Sequence, residues 1–436
     1  MKNTHHNPAP YASTRLSHLD VLVSGASIAG PAAALALSLH GARVTVVEKA
    51  PTLREGGFAV DFRGWVHRTV LTALGIHDDI HARQTHMGRQ TVVDADGTPR
   101  VDLPAELMSG DVEIFRGDLS QILYEHSLYE HGLYEHGLHE HSKGAVEYVF
   151  GDSIATLAED ANGVDVTFER AAPRRFDLVV AADGLHSPTR RLAFGDESRY
   201  LRFLDHYVAG FGIPNHLGLD RTGLLYSDPG RAVCVSNYDG DPDRAGALLV
   251  FRSGPLDFDR RDVDQQKRIL AERFAGLGWE APRVLKALED ADDLYFDAIA
   301  QIHVDRLTKG RVVLLGDAGY GATMGGMGTG VAIVGAYVLA GELALAGGDH
   351  RTAFAAYEAQ IGDFAKGCQK ISGNAGPFFA PPTERKIRSR DRMYRLLSSR
   401  LMAGFFKRLT EKAATALDLK DYPALLTAPA AVVRDR

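Results

Sequence analysis

"DVLVSGASIAGPAAALALSLHGARVTVVEKA", residues 20–50, reads as strand, tight turn, helix and second strand. Asp20 to Ser24 is short and apolar enough for a buried strand. Ile28 to His40 is a run of small apolar residues suited to a helix lying close on a sheet, and Arg43 to Glu48 supplies the next strand. Gly25 and Gly30 hold the first and last positions of a G-x-G-x-x-G pattern, with Ser27 at the middle one. The first glycine permits the turn, the middle residue must stay small for a pyrophosphate to approach, and the last lets helix meet strand. Serine is small, and its hydroxyl can donate to phosphate. Glu48 ends the second strand, where a carboxylate accepts hydrogen bonds from a ribose diol. The unit predicts an α/β fold with a Rossmann-like, dinucleotide-binding domain.

Composition narrows the function. The chain has 436 residues, 45% of them hydrophobic, enough for two or three domains around a large core. A net charge of -7 argues against a general nucleic-acid binder, whose affinity comes from basic residues on phosphates. Cys234 and Cys368 are the only cysteines; they read as reduced, buried thiols and not as a disulfide framework or a metal site. Residues 1–18 are polar, lack the apolar core of an export signal, and read as a disordered extension. The longest apolar candidate for a membrane span, near 331–346, carries Glu342 and follows a glycine loop. These features predict a cytoplasmic protein acting on small molecules, with no nucleic-acid partner and no stable membrane insertion.

Two further turns accompany the first. "FDLVVAADGLHSPTRRLAFG" is an apolar strand, Leu178 to Ala182, ending in Asp183-Gly184 and followed by Ser187, Pro188 and paired arginines. "GDAGYGATMGGMGTGVAIVGAY", residues 316–337, follows the apolar run Val312 to Leu315 and leads into a helix beginning near Thr329. Its glycines do not form a second dinucleotide fingerprint, because no strand ending in an acid follows at the required distance. The helix start near Gly328 and Thr329 would aim unpaired N–H groups and a positive dipole end at the loop, which suits an anion or an electron-rich ring.

With these motifs in this order, the sequence resembles the class A flavoprotein monooxygenases, the p-hydroxybenzoate hydroxylase type, and looks most like their tetracycline-inactivating and polyketide-hydroxylating branch. The resemblance spans roughly residues 19–375. It implies a GR2-type FAD-binding domain with an inserted β-sheet substrate domain and a C-terminal helix. Carried across residue by residue, it implies FAD contacts at Gly25, Ser27, Gly30 and Glu48, then Asp183 and Gly184, then Gly316 and Asp317. Arg54 and Asp61 in "REGGFAVDFRG" stand where the family contacts cofactor or nicotinamide, and Arg116 in "FRGDL" where an arginine approaches the flavin. Gly328 and Thr329 would stabilise charge on the reduced ring. The family often has proline in this loop and glutamine between its last two glycines; Met324 and Met327 stand near those places here.

The implied reaction consumes NADPH or NADH, forms a flavin hydroperoxide from dioxygen, and passes one oxygen atom to an aromatic or polyketide-like small molecule. A reductase of the same superfamily and a non-catalytic flavoprotein that binds a drug or metabolite are the alternatives. Substrate identity, nicotinamide preference and the choice between monomer and homodimer stay open at this stage, and no catalytic side chain is nominated.

Three other segments complete the reading. "LYEHSLYEHGLYEHGLHEHS", 123–142, repeats histidine every five residues, but each repeat turns a helix by a net angle of roughly 140°, so the histidines do not converge on a metal. The segment 128–142 reads as inserted pentads extending a helix end into solvent. Residues 199–297 have strand-like texture and form the expected substrate domain, with 19–198 and 298–375 as the FAD-binding domain; His206, Tyr207, Tyr226 and Arg252 are polar residues on these strands. In 376–436, Met393, Leu396, Leu397, Leu401, Phe405 and Leu409 mark a helical stripe expected to dock across both domains.

Overall fold

A computed structural model describes residues 15–54, 56–103, 110–128, 146–324, 328–398 and 417–427. Its first sheet runs Thr308–Lys309, Val312–Leu314, Leu178–Ala181, Asp20–Ser24, Arg43–Glu48, Val146–Phe150 from edge to edge. All neighbours pair in parallel except the short Thr308–Lys309 edge. The chain leaves Asp20–Ser24 toward Arg43–Glu48 on one side and later returns on the other, so the strand order reverses beside Gly25. Ligands of open parallel sheets bind at such a switch point, beyond the carboxyl ends of the strands.

Small side chains explain how tightly this sheet is covered. Every residue of the first helix, Ala29–Ser38, is buried, and the helix packs against Gly328–Leu345. The latter helix is buried from Gly330 to Ala344, and among the described residues it alone is long and apolar enough to cross a membrane. Each fully buried Val, Leu or Ile contributes roughly 1.5–3 kcal/mol, so its apolar character is accounted for by core packing. A Cβ at Gly341 would lie 2.4 Å from the Tyr422 ring. Glycine there admits the C-terminal helix Tyr422–Thr427, whose Tyr422 is fully buried and donates to Glu342 at 2.7 Å.

The second sheet has seven strands in the order Tyr295–Ile302, Leu201–Pro214, Arg244–Arg252, Arg231–Ser236, Gly223–Asp228, Gln90–Val93, Pro99–Leu103. The sheet therefore exceeds 199–297. Gly223–Tyr226 pairs in parallel with Gln90–Val93, drawing two upstream strands into it, and Tyr295–Ile302 runs past Asp297. Its alternating residues divide cleanly. Tyr207, Phe251 and Phe296 face the helices Val263–Phe274 and Ala281–Asp290, whereas Val208, Leu225, Val250 and Tyr295 share the opposite face, against Phe58 and Met324 from outside the sheet.

The ends of the chain differ from expectation. Residues 1–14 lie outside the described residues, but Leu16 is fully buried in the main core and Arg15 reaches the Leu426 carbonyl, so residues 15–18 belong to the folded chain. Leu123–Leu128 completes the helix Arg116–Leu128, and His126 is buried against Asp79; the remaining pentads lie outside the described residues. In the helix Glu384–Leu397 two residues of the anticipated stripe, Met393 and Leu396, are 47% and 59% exposed. Ile387, Arg390, Asp391 and Tyr394 turn inward instead. The Arg390 guanidinium donates to the carbonyls of Phe378 and Phe379 and pairs with Asp391, which takes the buried positions that the apolar pattern assigned elsewhere. Leu401, Phe405 and Leu409 lie outside the described residues.

Candidate active site

The three turns meet at the carboxyl ends of the parallel strands. Gly25 adopts φ +103° and donates its N–H to Val47 O at 2.8 Å. A Cβ there would stand 2.6 Å from Ala182 O and 2.9 Å from the Asp183 Cα, so only glycine lets the first turn lie against the second. Gly316, at φ +62°, is equally close to the first helix: its Cβ would lie 2.9 Å from that of Ala29. Gly30 fits against Gly25 O, where a Cβ would approach to 1.8 Å. Arg190, fully buried, closes the set by donating to Ala318 O at 2.9 Å and pairing with Glu197.

Polar groups line the junction. Glu48 accepts from Ala26 N–H and Ala50 N–H, each at 2.8 Å, and thereby ties the end of its strand to the first turn. Each carboxylate oxygen keeps a second lone pair for a hydroxyl donor. The first helix begins with no side-chain cap and no acidic residue in its first turn, leaving its N–H groups for an anion. Arg116 begins the helix Arg116–Leu128 and donates from Nη2 to Ser27 Oγ at 2.9 Å, while Ser120 Oγ donates to Ser27 O at 2.8 Å. Burial pushes the Asp317 carboxyl up, the Arg116 charge opposing it and the Asp297 carboxylate adding to it. Gly328 opens its helix with Asp317 Oδ1 3.7 Å from the position its Cβ would take, and Thr329 follows it at the helix start.

The remaining residues singled out in the sequence divide. Asp183 spends its oxygens on the turn: Ser187 Oγ, Thr189 N–H and Ser24 Oγ all donate to it. Gly184, at φ +85°, faces open space. Arg54 is exposed, yet its charge together with that of Arg116 acts on Tyr295, so it borders the same region. Asp61 is engaged by a near neighbour in sequence, Arg63. The carboxylate is buried on the short Ala59–Phe62 strand and ion-paired to Arg63; burial raises its pKa against the pull of that arginine. Tyr207 and Tyr226 point to the helix-covered face of the second sheet, away from the turns.

Sequence reasoning missed several residues that the fold brings here. Phe58 lies across Gly210, where a Cβ would come within 2.0 Å of its ring, and stacks edge-on with Tyr295 at 5.7 Å. His186 bridges Glu197 at 2.8 Å and Asp297 at 3.4 Å, linking the second turn to the second sheet. Burial lowers the His186 pKa, but hydrogen bonds and charges from Asp297 and Glu197 outweigh it and hold the value above the ordinary 6.5. Only the glycine pair Gly56-Gly57 before Phe58 signalled any of this, by marking a turn.

Comparison with known proteins agrees with the geometry. The FAD binding domain family matches residues 18–197. A flavin-dependent monooxygenase of Legionella longbeachae is 36% identical, covering 81% of this chain and 88% of the relative. The chain belongs to the FAD-dependent monooxygenases. An uncharacterized protein of Mycobacterium tuberculosis is 40% identical over 83% of this chain and 94% of its own length. Among solved structures, the tetracycline destructase Tet(51) superposes with a TM-score of 0.78 at 31% identity, covering 93% of this monooxygenase and 100% of that chain. Tet(55) gives 0.75 at 35% identity, over 92% and 98%. Klebsiella pneumoniae HpxO with FAD and uric acid shares the fold, at a TM-score of 0.68 and 21% identity over 93% of this chain and 99% of that one.

Proposed function

We propose that this monooxygenase uses NADPH or NADH as reductant and inserts one oxygen atom of dioxygen into an aromatic or polyketide-like small molecule. The observation that carries the substrate class is the sheet face turned toward Arg116 and Asp317. It bears Gly210, Leu248 and Tyr295, with Phe58 and Met324 packed beside them, all but the glycine half-buried and apolar or aromatic. Such a surface suits a flat, multi-ring substrate held by stacking and apolar contact. The tetracycline destructases, whose fold and a third of whose residues this chain shares, support a fused-ring polyketide.

The donor set fits FAD. In this reading Glu48 accepts from the adenosine ribose, while the uncapped first helix and Ser27 receive the pyrophosphate. Arg116 would hold phosphate and ribityl oxygens, and Asp317 would accept from ribityl hydroxyls. Gly328 and Thr329 would offer N–H groups to the ring, with Asp183-Gly184 and Arg54 beside it. Asp61 keeps a supporting role through Arg63. When bound, FAD supplies hydride acceptance and dioxygen activation. The chain holds and orients that group, and its apolar sheet face keeps water from it. A nicotinamide reductant is in keeping with a cytoplasmic setting.

The test is a panel of fused-ring phenolic polyketides and simpler phenols offered to the FAD-loaded protein with NADPH and with NADH. Nicotinamide oxidation should rise with at least one polyketide and consume dioxygen with it. Oxidation that proceeds equally without dioxygen would instead identify a reductase.

A further inference from the structure

A second cavity lies at the other end of the parallel sheet. It is an open cleft of about 600 Å³ between the Lys309-Gly310-Arg311 turn, the 159–161 turn, Tyr200 and the first turns of the helix His350–Ser372. Arg311 precedes the strand Val312–Leu314, whereas Gly316 follows it, so roughly 17 Å of extended chain separates this cavity from the cofactor turns. Its volume falls within the usual small-ligand range of roughly 300–1,000 Å³.

The lining is cationic: five Arg or Lys side chains against two carboxylates. Several of these charges are not neutralised locally. Lys309 Nζ donates to the Ala193 carbonyl at 2.7 Å, and Arg311 donates to the carbonyls of Asp177 and Ala161. Among the described residues, neither these two nor Arg199 and Arg351 has an ion pair. Of the two acids, Asp160 is paired outside the cavity with Arg175, whereas Glu159 stays in the wall and accepts the Arg311 backbone N–H. Aromatic groups complete the wall: Phe194, Tyr200 beneath the Arg199 guanidinium, and Phe354 stacked edge-on with His350 at 5.7 Å.

We infer that this cavity is a binding site for a nucleotide-like organic phosphate, separate from the FAD site. Guanidinium forks match phosphate oxygens in bidentate geometry, and the aromatic walls offer a flat apolar face to a base. A ligand here is too far from the cofactor turns to deliver hydride, so the site is distinct from that of the nicotinamide reductant. His350 reports the field: burial lowers its pKa, and the charges of Arg311 and Arg351 lower it further against Asp349 and Glu159.

The test uses FAD-saturated protein titrated with ADP and with inorganic pyrophosphate by calorimetry, while the His350 imidazole is followed by NMR and assigned with His350→Gln. ADP should bind with the flavin spectrum unchanged, and the His350 pKa should rise as the phosphates offset Arg311 and Arg351. Arg351→Gln and Lys309→Ala, both at the surface, should each weaken ADP binding about tenfold with melting temperature and flavin spectrum unaltered. Absence of ADP binding, binding indifferent to both substitutions, or a static His350 pKa overturns the site. Pyrophosphate binding as tightly as ADP overturns the assignment of a base-bearing ligand.

Discussion

Arg116 Nη2 donates to Ser27 Oγ at 2.9 Å, so an arginine at the start of one helix is held over the glycine turn that precedes another. Across the junction the same guanidinium opposes the burial that raises the Asp317 pKa. One side chain thus links the first and third turns. Arg116→Ala is expected to weaken FAD binding by roughly 10–100-fold, the loss of one to two hydrogen bonds to a charged group. Apoprotein titrated with FAD and followed by flavin fluorescence measures this; unchanged affinity refutes the link.

Gly25→Ala tests the contact between the first two turns. The new methyl would meet Ala182 O at 2.6 Å in a backbone conformation that L side chains rarely adopt. A loss of about 1–3 kcal/mol or more in stability is expected, with poor FAD retention, measured by denaturant titration and by flavin content after purification.

Asp317 trades stability for cofactor binding. Its folded pKa is raised, so the folded apoprotein binds its proton more tightly than the unfolded chain, and stability falls as pH rises from 3.8 through the raised value. Asp317→Asn removes that cost. At neutral pH the apo variant should melt about 1–3 °C higher than the apo parent while binding FAD less tightly. An apo variant that melts lower contradicts this.

His186 carries the opposite dependence. Because Asp297 and Glu197 raise its folded pKa above 6.5, its contribution is complete below 6.5 and is lost as pH rises through the raised value. His186→Gln should lower the melting temperature by roughly 2–4 °C at pH 6, and the gap should close in alkaline buffer. A gap independent of pH excludes the charged bridge between the two sheets.

Gly210→Ala addresses the substrate face. Its methyl would sit 2.0 Å from the Phe58 ring and displace it, so KM should rise about tenfold with FAD affinity unchanged. Phe58→Ala in the same background should restore part of the loss. A change in FAD affinity would show that Phe58 serves the cofactor.

The cofactor half of the molecule was legible because its signals are local. The Asp20–Ser24 and Arg43–Glu48 strands stand where periodicity and the glycine turn placed them, since turn, helix and acid lie within a single unit. The parallel pairing of Gln90–Val93 with Gly223–Tyr226 was not legible, because it joins segments more than a hundred residues apart and depends on the finished sheet. The His186–Asp297 bridge is hidden for the same reason. Met393 and Leu396 misled because Arg390 and Asp391 satisfy each other and the Phe378–Phe379 carbonyls, allowing charged groups to occupy an inward face.

The proposed reaction is oxygen insertion at FAD held by these three turns. Its most direct measurement is mass spectrometry of the product formed from an accepted polyketide under isotopically heavy dioxygen, with NADPH or NADH as reductant. One heavy oxygen atom in the product is the predicted result. A product that carries oxygen only from water, or is dehydrogenated without any heavy oxygen, rules out oxygen insertion from dioxygen.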